Sequence, residues 1–312
     1  MFYKMVDKRY LKGILLPKGE NRMYLPTTET VLSGAPLDAV SSDDAVCAML
    51  VGQHAALDAI TAATPALISG AQAMAATIRS GGSLVYAAAG SSGLMALADA
   101  SELAGTFGIS PDAVKIFMAG GVPVDAKMPG DVEDDVDLAV DVLRYITPRD
   151  IVIVLSASGS TPYALAVAKG AKAAGANVIG VANNRGAALL SIADIAVCIE
   201  TPAEVIAGST RLGAGTTQKV ALNIMSTLMG VDLGHVYRGM MVNVVADNAK
   251  LVERAAGIVS EIADVSVAIA KDALQQTNGN PKTAILVAKG ATAAQAVAAI
   301  AAHDGHLGPC LK

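Results

Sequence analysis

The sequence predicts an α/β fold. A doubly wound, five-stranded parallel sheet covers residues 83–200 with helices on both faces, and a mostly helical C-terminal section follows. Three observations carry this. Short apolar runs rich in Val, Ile and Ala stand at 84–88 (LVYAA), 114–119 (VKIFMA), 150–156 (DIVIVLS), 177–182 (NVIGVA) and 195–199 (IAVCI). Continuous rather than alternating apolar runs are what strands buried on both faces require, and helical segments between them supply the crossovers of parallel pairing. The apolar content, 53% with only 3% aromatics and no Trp, rests on small side chains that suit close packing of helices on a buried sheet.

In chain order, residues 1–35 read as irregular, broken by Pro17, Gly19 and Pro26, with Pro36 just beyond, and form with the next ten residues an N-terminal arm over 1–45. Two helices over 43–80 break near Pro65 and stop at Gly81-Gly82. After strand 84–88 comes a helix over 93–104. After strand 114–119 come Gly120-Gly121, a loop and a helix over 133–145 with acids in its first turn. Pro162 opens a helix that runs to 174 and ends at Gly175. A long helix runs from about 214 to near Gly234, and helices cover 240–257 and 260–276. KTAILVAKG (282–290) fits strand or helix, and ATAAQAVAAIAAHDG (291–305) is a short amphipathic helix. The division is then an arm (1–45), a domain holding the sheet and its flanking helices (46–235), and a helical region (236–312).

The formal net charge of −5, without a long basic block, disfavours a nucleic-acid partner. The segment MFYKMVDKRYLKG lacks the apolar core of a signal sequence, and no uninterrupted apolar run reaches the roughly 18 residues of a membrane span, so a cytoplasmic protein without a membrane partner is expected. Cys47, Cys198 and Cys310 are odd in number and far apart, which reads as unpaired thiols in a reducing compartment. The HDGH stretch at 303–306 lacks a nearby third ligand, so no metal is expected.

Two loops share a composition: Gly90-Ser91-Ser92-Gly93 after strand 84–88, and Ser156–Pro162 (SASGSTP) after strand 150–156. Glycine lets backbone approach a phosphate, hydroxyls donate to its oxygens, and a following helix N-terminus adds N–H groups and a favourable dipole. Plain helix capping uses the same residues. Neither loop fits a dinucleotide or P-loop fingerprint, so a small sugar phosphate is the better-fitting anion. Glu102 stands near the C-terminal end of the helix after GSSG, where the helix dipole disfavours negative charge. Glu133 opens another helix, where the dipole favours it. Carboxyls in opposite fields suit acid–base work, one donating a proton and one accepting; acids on solvated faces would look the same.

GSSG…DASE…TFG (90–108), AGG (119–121), VEDD (132–135), SASGSTPY (156–163), AEVIAGSTRLGAGTTQK (203–219), LGHVYRGMMVNVVADNAKL (233–251) and NPKTAILVAKG (280–290) together resemble the N-acetylmuramic acid 6-phosphate etherases, from about residue 50 to the C-terminus. These are sugar isomerase (SIS) domain proteins related to the glucokinase regulatory protein. The resemblance implies a lyase of cell-wall amino-sugar recycling. It would cleave the C3 lactyl ether of N-acetylmuramic acid 6-phosphate to D-lactate and N-acetylglucosamine 6-phosphate by elimination and hydration, as a homodimer without cofactor. It implies Glu102 as the acid and Glu133, twelve residues after Gly121, as the base. It implies phosphate binding by Ser91, Ser92, Ser158, Ser160 and Thr161, and sugar contact by Glu204 and Ser209. The family usually carries Arg where Leu94 and Ser160 stand, and Cys-Pro-Pro where Leu103-Ala104-Gly105 stands. Two further readings follow: an aldose–ketose sugar-phosphate isomerase, and, given the missing arginines, a sugar-phosphate-binding regulator without catalysis.

Overall fold

A computed structural model of the protein describes residues 26–32, 34–246 and 248–312; most of the expected N-terminal arm lies outside them. The chain forms two compact units. Of the described residues, the first takes those up to 70 with 85–98 and 116–223, and the second 71–84, 99–115 and those from 224 on.

The five-stranded sheet holds β1 (Leu84–Ala88), β2 (Val114–Met118), β3 (Ile151–Leu155), β4 (Asn177–Ala182) and β5 (Ile195–Cys198), in the order β2-β1-β3-β4-β5. β3 pairs β4 in parallel with Ile153 opposite Ile179, and β4 pairs β5 with Val181 opposite Val197. Every residue of β1 and β3 is buried, as their unbroken apolar runs require. In this strand order the winding direction reverses between β1 and β3. That makes the carboxyl ends of those two strands the switch point where doubly wound folds bind ligands.

Helices α1 (Ser42–Ala59) and α2 (Thr64–Arg79) precede β1. They part at a 3-10 step, Ile60–Ala63, and Pro65 sits in the first turn of α2, where its missing N–H costs nothing. Within 42–79 an 18-residue window reaches a mean hydropathy of 1.4, so by length and composition this helical stretch is long and apolar enough to cross a membrane. It does so although no long apolar run is unbroken, because polar residues are spaced among many Ala with Leu and Ile.

After β1 comes α3 (Gly90–Ala100), then α4 (Leu103–Phe107). The helix begins at Gly90 and not at 93, so GSSG is its first turn and not a loop before it. Between β2 and β3 the expected helix over 133–145 is cut to its middle residues. Two 3-10 turns, Asp131–Glu133 and Val136–Leu138, lead into the short α5 (Ala139–Leu143). Crowded acids and the Asp135 carboxylate, which accepts the Asp137 N–H, compete with α-helical hydrogen bonds here. α6 (Pro162–Ala173) and α7 (Ala188–Ile192) flank β4, and α8 (Gly213–Asp232) follows β5. The first unit's core joins Val85 and Ala87 of β1, Val152 and Val154 of β3, and Tyr163, Val167 and Ala171 of α6. Each fully buried Val or Leu there contributes roughly 1.5–3 kcal/mol.

In the second unit, the helix expected over 240–257 starts later, as α9 (Ala249–Ala263), because a hairpin of β6 (Val236–Tyr237) with β7 (Met240–Met241) takes up its first residues. Arg238 and Gly239 both hold positive φ, as a two-residue hairpin turn demands. Asn248 then caps α9 by accepting from Leu251 N. Asp264, in the left-handed region, ends α9, and Ser266 caps α10 (Val267–Gln276). The segment at 282–290 resolves as helix α11 (Pro281–Ala288), started by Asn280 as cap and Pro281 at its first position. α12 (Ala293–Ala302) and α13 (Leu307–Cys310) complete the chain. Val242, Ala255, Val259, Ala270, Ile285 and Ala296 lie in this unit's core.

Candidate functional site

At the carboxyl end of β3, four hydroxyls gather. Ser156 Oγ lies 2.8 Å from Thr161 Oγ1 and 3.3 Å from Ser158 Oγ, and Ser160 Oγ donates to Ser158 Oγ at 3.0 Å. Backbone N–H groups of Gly159 and Ser160 donate to Ser156 Oγ and Ser158 Oγ. Gly159 holds φ +67, and a Cβ there would stand 2.4 Å from Ala187 Cβ, so the turn closes only with glycine. Thr161 is the N-cap residue of α6 but makes no side-chain cap; its hydroxyl faces Ser156 instead. Simple capping therefore does not account for this loop.

At the carboxyl end of β1, Ser91 is half-buried and Ser92 is 8% exposed, both in the first turn of α3. A Cβ at Gly93 would stand 2.8 Å from Met118 Cγ, so this turn packs directly on the end of β2. The first turns of α3 and α6 thus both follow the strands that flank the switch point, with helix N-terminal N–H groups to offer an anion.

Glu133 is brought to the same place. A Cβ built on Gly90 would meet its Oε1 at 2.3 Å, so the carboxyl lies directly over the first residue of GSSG. Burial pushes the Glu133 carboxyl above its ordinary value, and the Asp134 charge pushes it further the same way. This corrects the expectation from helix dipoles: Glu133 closes a three-residue 3-10 turn and heads no α-helix. Glu102 belongs to the second unit. It is exposed, lies between α3 and α4, donates its N–H to Asp99 O, and accepts at its own carbonyl from Thr106 N. Asp99, three residues earlier, is 2% exposed and accepts from Ser226 Oγ at 2.9 Å.

Glu204 is 5% exposed, and its two carboxylate oxygens accept from Gly213 N and Ala214 N, each at 2.9 Å. It anchors the start of α8, where the dipole favours a negative charge. A cavity of about 220 Å³ lies beside it, lined by Gly52, Gln53, Ala56, Pro202 and Leu212 among others. Ser209 sits half-buried in the turn before α8. The three cysteines are free, and no cluster of three or more His, Cys, Asp or Glu fit for a metal occurs among the described residues.

The structure adds residues that sequence reasoning did not single out. Ser156 is the hub of the hydroxyl cluster. Asn184, 6% exposed, donates to Ala157 O at 2.9 Å and to Thr28 Oγ1 at 3.2 Å, and accepts from Thr27 Oγ1 at 3.0 Å. Gly208 N donates to Thr28 O. A short segment near the N-terminus is thereby tied through Asn184 to the β3 loop. The pair Asn183-Asn184 directly after strand β4 was the available signal. Asn183 accepts from Gln218 Nε2 and donates to Thr217 Oγ1, which pins α8 to that strand end.

Residues 53–183 match the family model described as the SIS domain. The N-acetylmuramic acid 6-phosphate etherase of Deinococcus radiodurans is 38% identical over 87% of this chain and 90% of its own length. That of Shouchella clausii is 41% identical over 80% of this chain and 86% of its own. Among solved structures, a phosphoheptose isomerase from Francisella tularensis aligns with 62% of this chain and all of its own at a TM-score of 0.48 and 19% identity, too distant to carry an argument about function. Relatives that match along nearly their whole length, and so through both units, admit one assignment: the chain belongs to the N-acetylmuramic acid 6-phosphate etherase family.

Proposed function

We propose that the protein is a carbon–oxygen lyase that cleaves the C3 lactyl ether of N-acetylmuramic acid 6-phosphate, giving N-acetylglucosamine 6-phosphate and D-lactate. The observation that carries it, beside family membership, is the seating of Glu133 over Gly90, in the turn that offers N–H groups and hydroxyls to a phosphate. In this reading Ser91, Ser92, Ser158, Ser160 and Thr161 bind the phosphate. The open-chain aldehyde acidifies C2, and Glu133 removes the C2 proton. The C3–O bond breaks, Glu102 protonates the departing lactate oxygen, and water adds back with hydroxyl at C3 and hydrogen at C2. Raised proton affinity at Glu133 makes its carboxylate the stronger base. Glu204 and Ser209 bear on the sugar, Glu204 through the loop it fixes.

The protein works on this reading as a cytoplasmic homodimer. Exposed apolar side chains on α1, Val46 and Leu50, support the association, and light scattering would report about twice the 31.4 kDa chain mass. The function is tested with Glu102→Gln and Glu133→Gln. Each is expected to cut D-lactate release on the order of 10²–10⁴-fold, the usual contribution of a positioned acid or base. Full activity in both would remove the acid–base assignment. Sugar-phosphate isomerisation without lactate would instead establish the isomerase reading, and tight binding without turnover the regulator.

A further inference from the structure

We propose that Gly90 is the positioning residue for Glu133: the missing side chain at 90 is the seat of the carboxyl, and it fixes where the proton acceptor stands above the phosphate-binding turn. The inference rests on the reading of Glu133 as the base. Its geometry is independent of that reading. A Cβ on Gly90 would lie 2.3 Å from Glu133 Oε1 and 3.4 Å from Cδ, where real Cβ contacts essentially never fall below 3.0 Å. Any other residue at 90 therefore displaces the carboxyl. Gly90 also holds φ +54, which alone would favour glycine. The two demands are separable, because Asn tolerates the left-handed region far better than Ala while carrying the same Cβ.

The seat has a chemical consequence. Glu133 heads no α-helix, and no hydrogen bond among the described residues holds its carboxyl. The contact with the first residue of α3 is thus what places it. Misplacing a reacting group by about 1 Å costs on the order of 10²-fold in rate. A carboxyl pushed off Gly90 towards solvent also loses part of the burial that raises its proton affinity.

The test combines Gly90→Ala, Gly90→Asn and Glu133→Asp. Both Gly90 variants are expected to lose kcat on the order of 10²-fold, with the acid limb of the pH profile moved to lower pH. Glu133→Asp, one methylene shorter, should cost less in the Gly90→Ala background than in the wild type. Wild-type kcat and acid limb in Gly90→Asn, or an equal cost of Glu133→Asp in the wild-type and Gly90→Ala backgrounds, would overturn the proposal. Glu133→Gln separates the two levels. If it is inactive while Gly90→Asn is fully active, the seat alone fails; if it is fully active, the base assignment fails and the positioning role falls with it.

Discussion

Glu133 and Glu204 are both acids near the sheet's carboxyl edge, and their surroundings give them opposite roles. Glu133 is half-buried beside another negative charge, so its proton affinity rises. A base must be ionised to act, so the acid limb of kcat/KM is expected above the ordinary carboxylate range. Asp134→Asn, which removes the like charge, should move that limb to lower pH. The stability sign is opposite. A raised folded-state value means Glu133 favours the fold at low pH, and that contribution is lost as pH rises through the raised value. Glu204 instead has both oxygens engaged by N–H groups. In Glu204→Gln the amide nitrogen would face one of those N–H groups, donor against donor. A loss of about 1–3 kcal/mol in urea denaturation is expected, and unchanged stability would contradict the anchor role. The candidate acids and hydroxyls were legible in the sequence because hydroxyl-rich turns after apolar runs and acids at motif spacing leave a local trace. The seat at Gly90 and the hub at Ser156 were not. Both are contacts between atoms whose distance depends on the folded loop.

Among the elements, the strands were legible because β-branched runs buried on two faces leave few alternatives. The errors fall where local side-chain chemistry overrides apolar pattern. VEDDVD broke into 3-10 turns, and Arg238-Gly239 turned an apolar stretch into a hairpin. Strand order was not legible, although it decides that the two hydroxyl turns flank one switch point. Packing between elements is equally silent in sequence. α6 passes α5 so closely that a Cβ at Gly170 would lie 2.4 Å from Leu143 Cδ1. Gly170→Ala is expected to cost about 1–3 kcal/mol by overpacking, with Leu143→Ala in the same chain recovering part of it. Thermal melts of the two singles and the double would measure this. Additive losses would contradict direct contact.

Over the whole molecule the two units interleave along the chain, with 71–84 and 99–115 joining the C-terminal section. A reading that cuts a sequence into consecutive pieces cannot see that arrangement. The second unit also buries titratable groups. Burial, with the Lys282 charge adding to it, holds His235 down to about 4, and burial holds Lys282 down to about 8 while its Nζ donates to Gly305 O. Between pH 6.5 and 4 the unfolded chain binds a proton at His235 that the folded chain refuses. Stability should therefore fall with pH across that window, by up to about 3 kcal/mol. Urea denaturation at pH 7 and pH 5 should show this drop, and His235→Asn should flatten it. An undiminished drop in the variant would assign it to other groups.

The central claim, that this sheet edge carries out a C2-proton elimination of a lactyl ether, is tested most directly in deuterated water with N-acetylmuramic acid 6-phosphate as substrate. The account predicts D-lactate together with N-acetylglucosamine 6-phosphate that carries deuterium at C2. Intact substrate without lactate, or lactate release with the original hydrogen retained at C2, would contradict it.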